Sequence, residues 1–217
     1  MAVSLLAVFS CIFYTVSQFS PFNGYWMTSL FKLILFGVVP LLYFIKRKNQ
    51  LFQVMNRGVK GSYKIPALLG AGCLLLILAG YTLLYSFFDA KQILSGLHAQ
   101  KITKTVYPFV FLHIVVVNSF LEEFFFRGFL FRQLYLSGKK GYAYLFSSVL
   151  FALYHIGIFG SWFSPAMVCF CLVGLVGAGL FFCEVDRRCQ NIYGGWFLHL
   201  GANVGINLIG AVLFYFS

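Results

Sequence analysis

The chain has 217 residues, of which 61% are hydrophobic, 20% aromatic and only 10% charged, where a soluble globular domain carries about a quarter charged residues. That composition excludes an ordinary soluble domain and predicts an integral membrane protein, an all-α polytopic helix bundle. The net charge of +11 would suit nucleic acid, but the lysines and arginines fall almost entirely between apolar runs, as topology determinants do, so no nucleic-acid partner is expected.

Apolar runs of spanning length, about 20 residues each, fall at 2–20, 27–45, 65–88, 107–134, 142–160, 163–183 and 193–216. They predict about seven transmembrane helices in a single transmembrane domain, 1–217. Residues 2–16 have the length of a signal-peptide core. They have no basic residue ahead and no A-x-A site behind, so they are read as the first membrane segment. Between the second and third runs lie Lys46, Arg47, Lys48, Arg57, Lys60 and Lys64 with no acid among them, which predicts a cytoplasmic loop. Threading from there, Lys139, Lys140, Arg187 and Arg188 also fall inside, against Lys91, Lys101 and Lys104 outside. The N-terminus is then cytoplasmic and the C-terminus external, as in a bacterial cytoplasmic (inner) membrane protein.

Residues 50–64 are basic with apolar residues interleaved, and read equally as a surface helix or a solvated loop. Residues 89–105 read as an external loop with a short amphipathic piece, His98 being solvated. Pro21, Pro40, Pro66, Pro108 and Pro165 punctuate the run ends. Gly174, Gly177, Ala178 and Gly179 in the sixth run, with Gly201, Gly205 and Gly210 in the seventh, predict close helix packing. The six cysteines, Cys11, Cys73, Cys169, Cys171, Cys183 and Cys189, contain no CxxC pair and read as small core residues.

The fourth run holds the chemistry. Glu122, Glu123 and Arg127 sit inside an apolar stretch, where a charge at a helix centre costs about 2.5–3.5 kcal/mol on insertion scales. On a helix Glu123 and Arg127 share a face and neutralise each other. Glu122 points about 100° away, on the side of Asn118, and is expected to be free of an ion-pair partner. Two further runs carry His155 and the series His199, Asn203, Asn207, whose spacing of four makes one polar stripe facing the bundle interior. At about 1.5 Å of rise per residue, Glu122 and His155 lie about 20 Å and His199 about 10 Å from the cytoplasmic ends, compatible with one cavity. His113 reads as a satisfied interior or interfacial group, and Tyr154 as a belt aromatic, the alternative being a hydrogen-bond donor behind the catalytic groups. Glu184 and Asp186, beside Arg187 and Arg188, read as a solvated loop patch.

In order, Glu122-Glu123-x-x-x-Arg127, Phe151-x-x-x-His155 and His199-x-x-x-Asn203 resemble the three motifs of the CPBP family, the CAAX-protease and bacteriocin-processing enzymes also called ABI proteins. The resemblance covers 107–217, the expected catalytic helical core. It implies an intramembrane glutamic endopeptidase without a cofactor, acting on a membrane-associated protein or peptide in the lipid bilayer. It further implies that Glu122 is the catalytic glutamate, with His155 helping to activate water. His199 and Asn203 would hold the oxyanion, and Glu123 with Arg127 would form a structural ion pair.

Alternatives from other classes use the same residues. Two histidines and a glutamate could be ligands of a catalytic zinc, although the sequence has no His-Glu-x-x-His. A non-catalytic scaffold or immunity protein would use them only for packing. An aspartyl protease would need two intramembrane aspartates, whereas Asp89 and Asp186 read as loop residues. A rhomboid-like site would need a Gly-x-Ser on a helix, and Ser161 falls at a helix end. A transporter would be expected to show an internal repeat, and none is visible.

Overall fold

The computed structural model describes residues 2–19, 24–45, 54–55, 63–160 and 162–216. Among them every regular element is helical. α1 is Ala2–Gln18, α2 Tyr25–Ile45, α3 Lys64–Leu84, α4 Ala90–Ala99 and α5 Tyr107–Leu136. α6 is Lys140–Tyr154, with one more turn at Ile156–Phe159. α7 is Pro165–Cys189 and α8 Tyr193–Phe216. Six helices are long and apolar enough to cross a membrane. α1 is apolar but only 17 residues long, about 26 Å against a hydrocarbon core of about 30 Å.

Lipid is the solvent that makes sense of this surface. Leu68, Leu76 and Leu83 on α3 and Val173 on α7 are each more than 70% exposed, an arrangement that would aggregate in water. The interior is aromatic: Phe36 stacks on Phe125 with ring centroids 4.1 Å apart, and Phe44, Phe126 and Phe129 are fully buried around them. α1 joins this core through Val3, Ala7, Cys11 and Tyr14, a stripe of three- and four-residue spacing that lays one helix face against it.

Glycines set the closest helix approaches. A methyl group on Gly201 of α8 would run into the backbone of Gly70 on α3, one on Gly70 into the Phe197 carbonyl, and one on Gly205 would lie 3.1 Å from Ile77. Gly179 meets Ser148, and Gly210 meets the Tyr107 hydroxyl, whereas Gly174 and Gly177 face open space. The packing expectation therefore fails for these last two, which lie on the lipid side of α7. Gly201→Ala is expected to cost about 1–3 kcal/mol by overpacking and Gly174→Ala less than about 0.5 kcal/mol. Thermal unfolding in detergent reads the difference, and equal melting of the two variants would contradict this packing.

Three stretches wind as π-helix: Leu33–Val38 in α2, and His113–Asn118 and Phe124–Phe131 in α5. Such turns cluster at functional sites. The two in α5 bracket the α-helical Ser119–Glu123. Pro40 lies inside α2 directly after a π stretch, not at a run end, the wider turn accommodating its missing N–H. Pro108 and Pro165 do open their helices. Asp89 caps α4 by accepting from the backbone N–H groups of Lys91 and Gln92. Lys46, Arg47, Lys48, Arg57, Lys60, Pro21, Ser161 and most of 50–64 lie outside the described residues.

Candidate active site

Glu122 is buried, with 2% exposure, and its two carboxylate oxygens differ. Oε1 accepts from Asn118 Nδ2 at 2.7 Å, one helical turn back, and from Lys32 Nζ at 2.5 Å. Oε2 has no hydrogen-bond partner among the described residues, and His199 Nε2 stands 3.6 Å from it. Asn118 lies beside Glu122 as its spacing requires. The expectation that Glu122 lacks an ion-pair partner is corrected: the partner comes from α2, a helix on which the motifs are silent.

Glu123 faces the other way into a second cluster. Its Oε1 lies 3.1 Å from Arg127 Nη1 and 2.8 Å from His199 Nδ1. The Arg127 guanidinium sits 4.3 Å from the Phe151 ring centroid and 5.1 Å from that of Phe182, and it is completely buried. Its contact with Glu123 is a close ion pair rather than an aligned hydrogen bond, since no guanidinium nitrogen has a hydrogen-bond partner among the described residues.

Asp186 belongs to the same cluster. It is buried near the end of α7 and accepts from the Gly195 backbone N–H at 2.5 Å. A methyl on Gly195 would lie 2.8 Å from both Asp186 Oδ1 and Glu123 Oε2, so the glycine lets α8 pass between two carboxylates. The solvated-patch reading therefore holds for Glu184 alone, which pairs with Arg187 and Arg188 at 2.6 Å each. Asp186, one helix face away, points inward.

His155 sits where α6 tightens: its N–H bonds to the Ala152 carbonyl, three residues back. The ring Nδ1 lies 2.7 Å from the Phe151 carbonyl, which can only accept, so Nδ1 carries the proton and Nε2 offers a lone pair. The Phe151 ring is 4.8 Å from the His155 ring and 5.9 Å from that of His199, so one phenyl group touches both histidines. Asn203 Nδ2 donates to the Ile114 carbonyl at 3.2 Å, within the first π stretch of α5, which leaves its second amide hydrogen. Asn207 continues the stripe by donating to the Asn203 carbonyl. His113 is satisfied by the Tyr25 hydroxyl at 2.7 Å.

Tyr154 is no belt residue. It is 1% exposed, with its hydroxyl 3.4 Å from Lys32 Nζ. Trp196 donates to Ser119 Oγ, tying α8 to α5 one turn from Glu123. An apolar groove of about 800 Å³ runs between α2 and α5, lined by Leu33, Gly37, Val117, Phe120, Leu121 and Trp196 among others and by none of the polar site residues. Among the described residues, no group of three or more His, Cys, Asp or Glu side chains is arranged to hold a metal ion.

A family model described as type II CAAX prenyl endopeptidase, Rce1-like, matches residues 104–205. This segment belongs to the CPBP family. The match runs from just ahead of α5 to just past Asn203, so it takes in all three motifs and leaves out α1 to α4 with Lys32. Over that segment the match supports, at family level, an intramembrane CAAX-type protease, a hydrolase acting on a protein. No curated protein and no solved structure matches the chain.

Proposed function

We propose that the chain is a glutamic-type intramembrane endopeptidase in which Glu122 Oε2 is the general base. The observation that carries this reading is the asymmetry of that carboxylate, one oxygen held by two donors and the other buried without a partner; Glu123 Oε2 is unpartnered as well, but it is closed in against Gly195, whereas Glu122 Oε2 faces His199 Nε2. A buried acceptor left unsatisfied costs about 1–3 kcal/mol, a cost that is understandable where the acceptor is kept open for a reacting water. His155 Nε2, its lone pair directed away from the Phe151 carbonyl, is the second acceptor for that water. Glu122 takes a proton from the water as its oxygen adds to the peptide carbonyl, then gives it to the departing amine.

The oxyanion that forms needs donors. His199, whose Nδ1 lies 2.8 Å from Glu123 Oε1 and whose Nε2 lies 3.6 Å from Glu122 Oε2, stands beside the reacting carboxylate as the first of them. The free amide hydrogen of Asn203 is the second donor. The apolar groove along α2 and α5 suits the apolar part of a membrane-associated substrate.

Zinc on Glu122 would have to share the carboxylate with an ammonium 2.5 Å away, a like-charge contact that works against the metal. Asn203→Ala is therefore expected to lower kcat by about 100- to 1,000-fold with KM little changed, and chelators are expected to leave wild-type activity intact. Reversible inactivation by a chelator, with one zinc per chain by elemental analysis, would contradict this mechanism.

A further inference from the structure

We propose that Lys32 is a positioning residue for Glu122, a fixed cation that occupies Oε1 and holds the carboxylate ionised so that Oε2 alone meets the reacting water. Its catalytic consequence rests on the peptidase reading above; the pairing itself rests on geometry.

Lys32 lies in α2 between Phe31 and Leu33, with its side chain 3% exposed. Its surroundings suit a cation. An ammonium has three N–H donors and no acceptor, and Lys32 Nζ has three oxygens about it: Glu122 Oε1 at 2.5 Å, Asn118 Oδ1 at 2.6 Å and Tyr154 Oη at 3.4 Å. The two nearest, a carboxylate and an amide oxygen, can only accept. Three aromatic rings close the remaining sides, with centroids 5.2 Å away for Tyr14, 5.6 Å for Phe36 and 5.0 Å for Tyr154, within the reach of cation–π attraction, about 6 Å. These groups come from α1, α2, α5 and α6, so four helices converge on one amine.

Asn118 makes the arrangement rigid. Its carbonyl oxygen accepts from Lys32 while its amide donates to Glu122, so Lys32, Asn118 and Glu122 form a closed triangle in which each polar group fixes the next. Oε1 then accepts two hydrogen bonds, one of them charge-assisted, and the carboxylate is not free to rotate. The motif-bearing segment contributes the base, and a helix outside that segment sets the base's charge and orientation.

Infrared spectroscopy of the protein in detergent separates this role from one of packing. In wild type at neutral pH, Glu122 is expected to contribute a carboxylate band, identified by its loss in Glu122→Gln. In Lys32→Met the band is expected to give way to a carboxylic-acid C=O band, which disappears in Lys32→Met/Glu122→Gln. Turnover of Lys32→Met is expected to fall about 100-fold, the cost of a misplaced reacting group, with KM near the wild-type value. Should Lys32→Met fail to accumulate, recovery of the double variant alone would carry the same meaning. Failure of both variants to accumulate would overturn the pairing. An unchanged Glu122 carboxylate band in Lys32→Met would overturn the proposal whatever the activity. The band shift in a protein whose wild type cleaves nothing would leave the pairing standing and remove the peptidase reading.

Discussion

Glu122→Gln is expected to lower cleavage by about 100- to 10,000-fold, the range for loss of a general base, in a protein that still inserts and melts close to wild type. The amide oxygen keeps a partner for Lys32 and Asn118 but cannot accept the water's proton. Glu122→Ala is expected to behave differently. It strands the Lys32 ammonium in a buried site, where removal of one member of an ion pair costs about 3–5 kcal/mol, so stability falls along with activity. Lys32→Met added to Glu122→Ala should restore melting and leave turnover abolished. Rates of substrate cleavage and thermal unfolding in detergent, measured on the same preparations, separate the two effects. If Glu122→Ala melted like the wild type, the contact between Lys32 and Glu122 would carry none of the energy assigned to it.

Arg127→Ala is expected to be the most destabilising change in the second cluster, by about 3–5 kcal/mol. It removes the cation nearest Glu123, 3.1 Å away, and leaves Glu123 facing the Asp186 carboxyl group across Gly195. The stack of its guanidinium on Phe151 is lost as well. Arg127→Lys should rescue only in part, because a compact ammonium neither stacks nor reaches as a planar group does. Asp186→Asn combined with Arg127→Ala should recover part of the loss, since it removes the carboxyl group that faces Glu123 across Gly195. Additive losses in the double variant, read by unfolding and by protein abundance in the membrane, would show that Asp186 is not electrostatically coupled to Arg127.

Helical periodicity made one part of this site legible. Asn118 with Glu122 and Glu123 with Arg127 are neighbours at four-residue spacing, and a motif on a single helix can be read along its own sequence. The depths of Glu122, His155 and His199 allowed one cavity without requiring it; in the structure His199 Nε2 stands 3.6 Å from Glu122 Oε2 and the Phe151 ring lies against both histidines. What stayed hidden involved residues far apart in the chain. Lys32 was visible as an ionisable residue within the second apolar run, the same signal that singled out Glu122, but the attribution of the basic residues to loops passed over it. Asp186 looked solvated because Arg187 and Arg188 follow it. In a helix, though, neighbouring residues point about 100° apart, and its face turns to Gly195 and Glu123. Tyr154 could not be told from an interfacial aromatic, because no sequence pattern marks the hydroxyl that meets Lys32. The winding of α2 and α5 into π turns, next to Lys32 and on either side of Ser119–Glu123, likewise has no simple sequence mark.

The most direct test of the central claim is mass spectrometry of protein termini in membranes from cells producing wild-type protein or Glu122→Gln at equal abundance. The account predicts at least one membrane-associated protein whose internal peptide bond is cut only where the wild type is present, with the uncut precursor accumulating beside Glu122→Gln. Identical sets of termini in the two membranes, at equal abundance and melting of the two proteins, would contradict it.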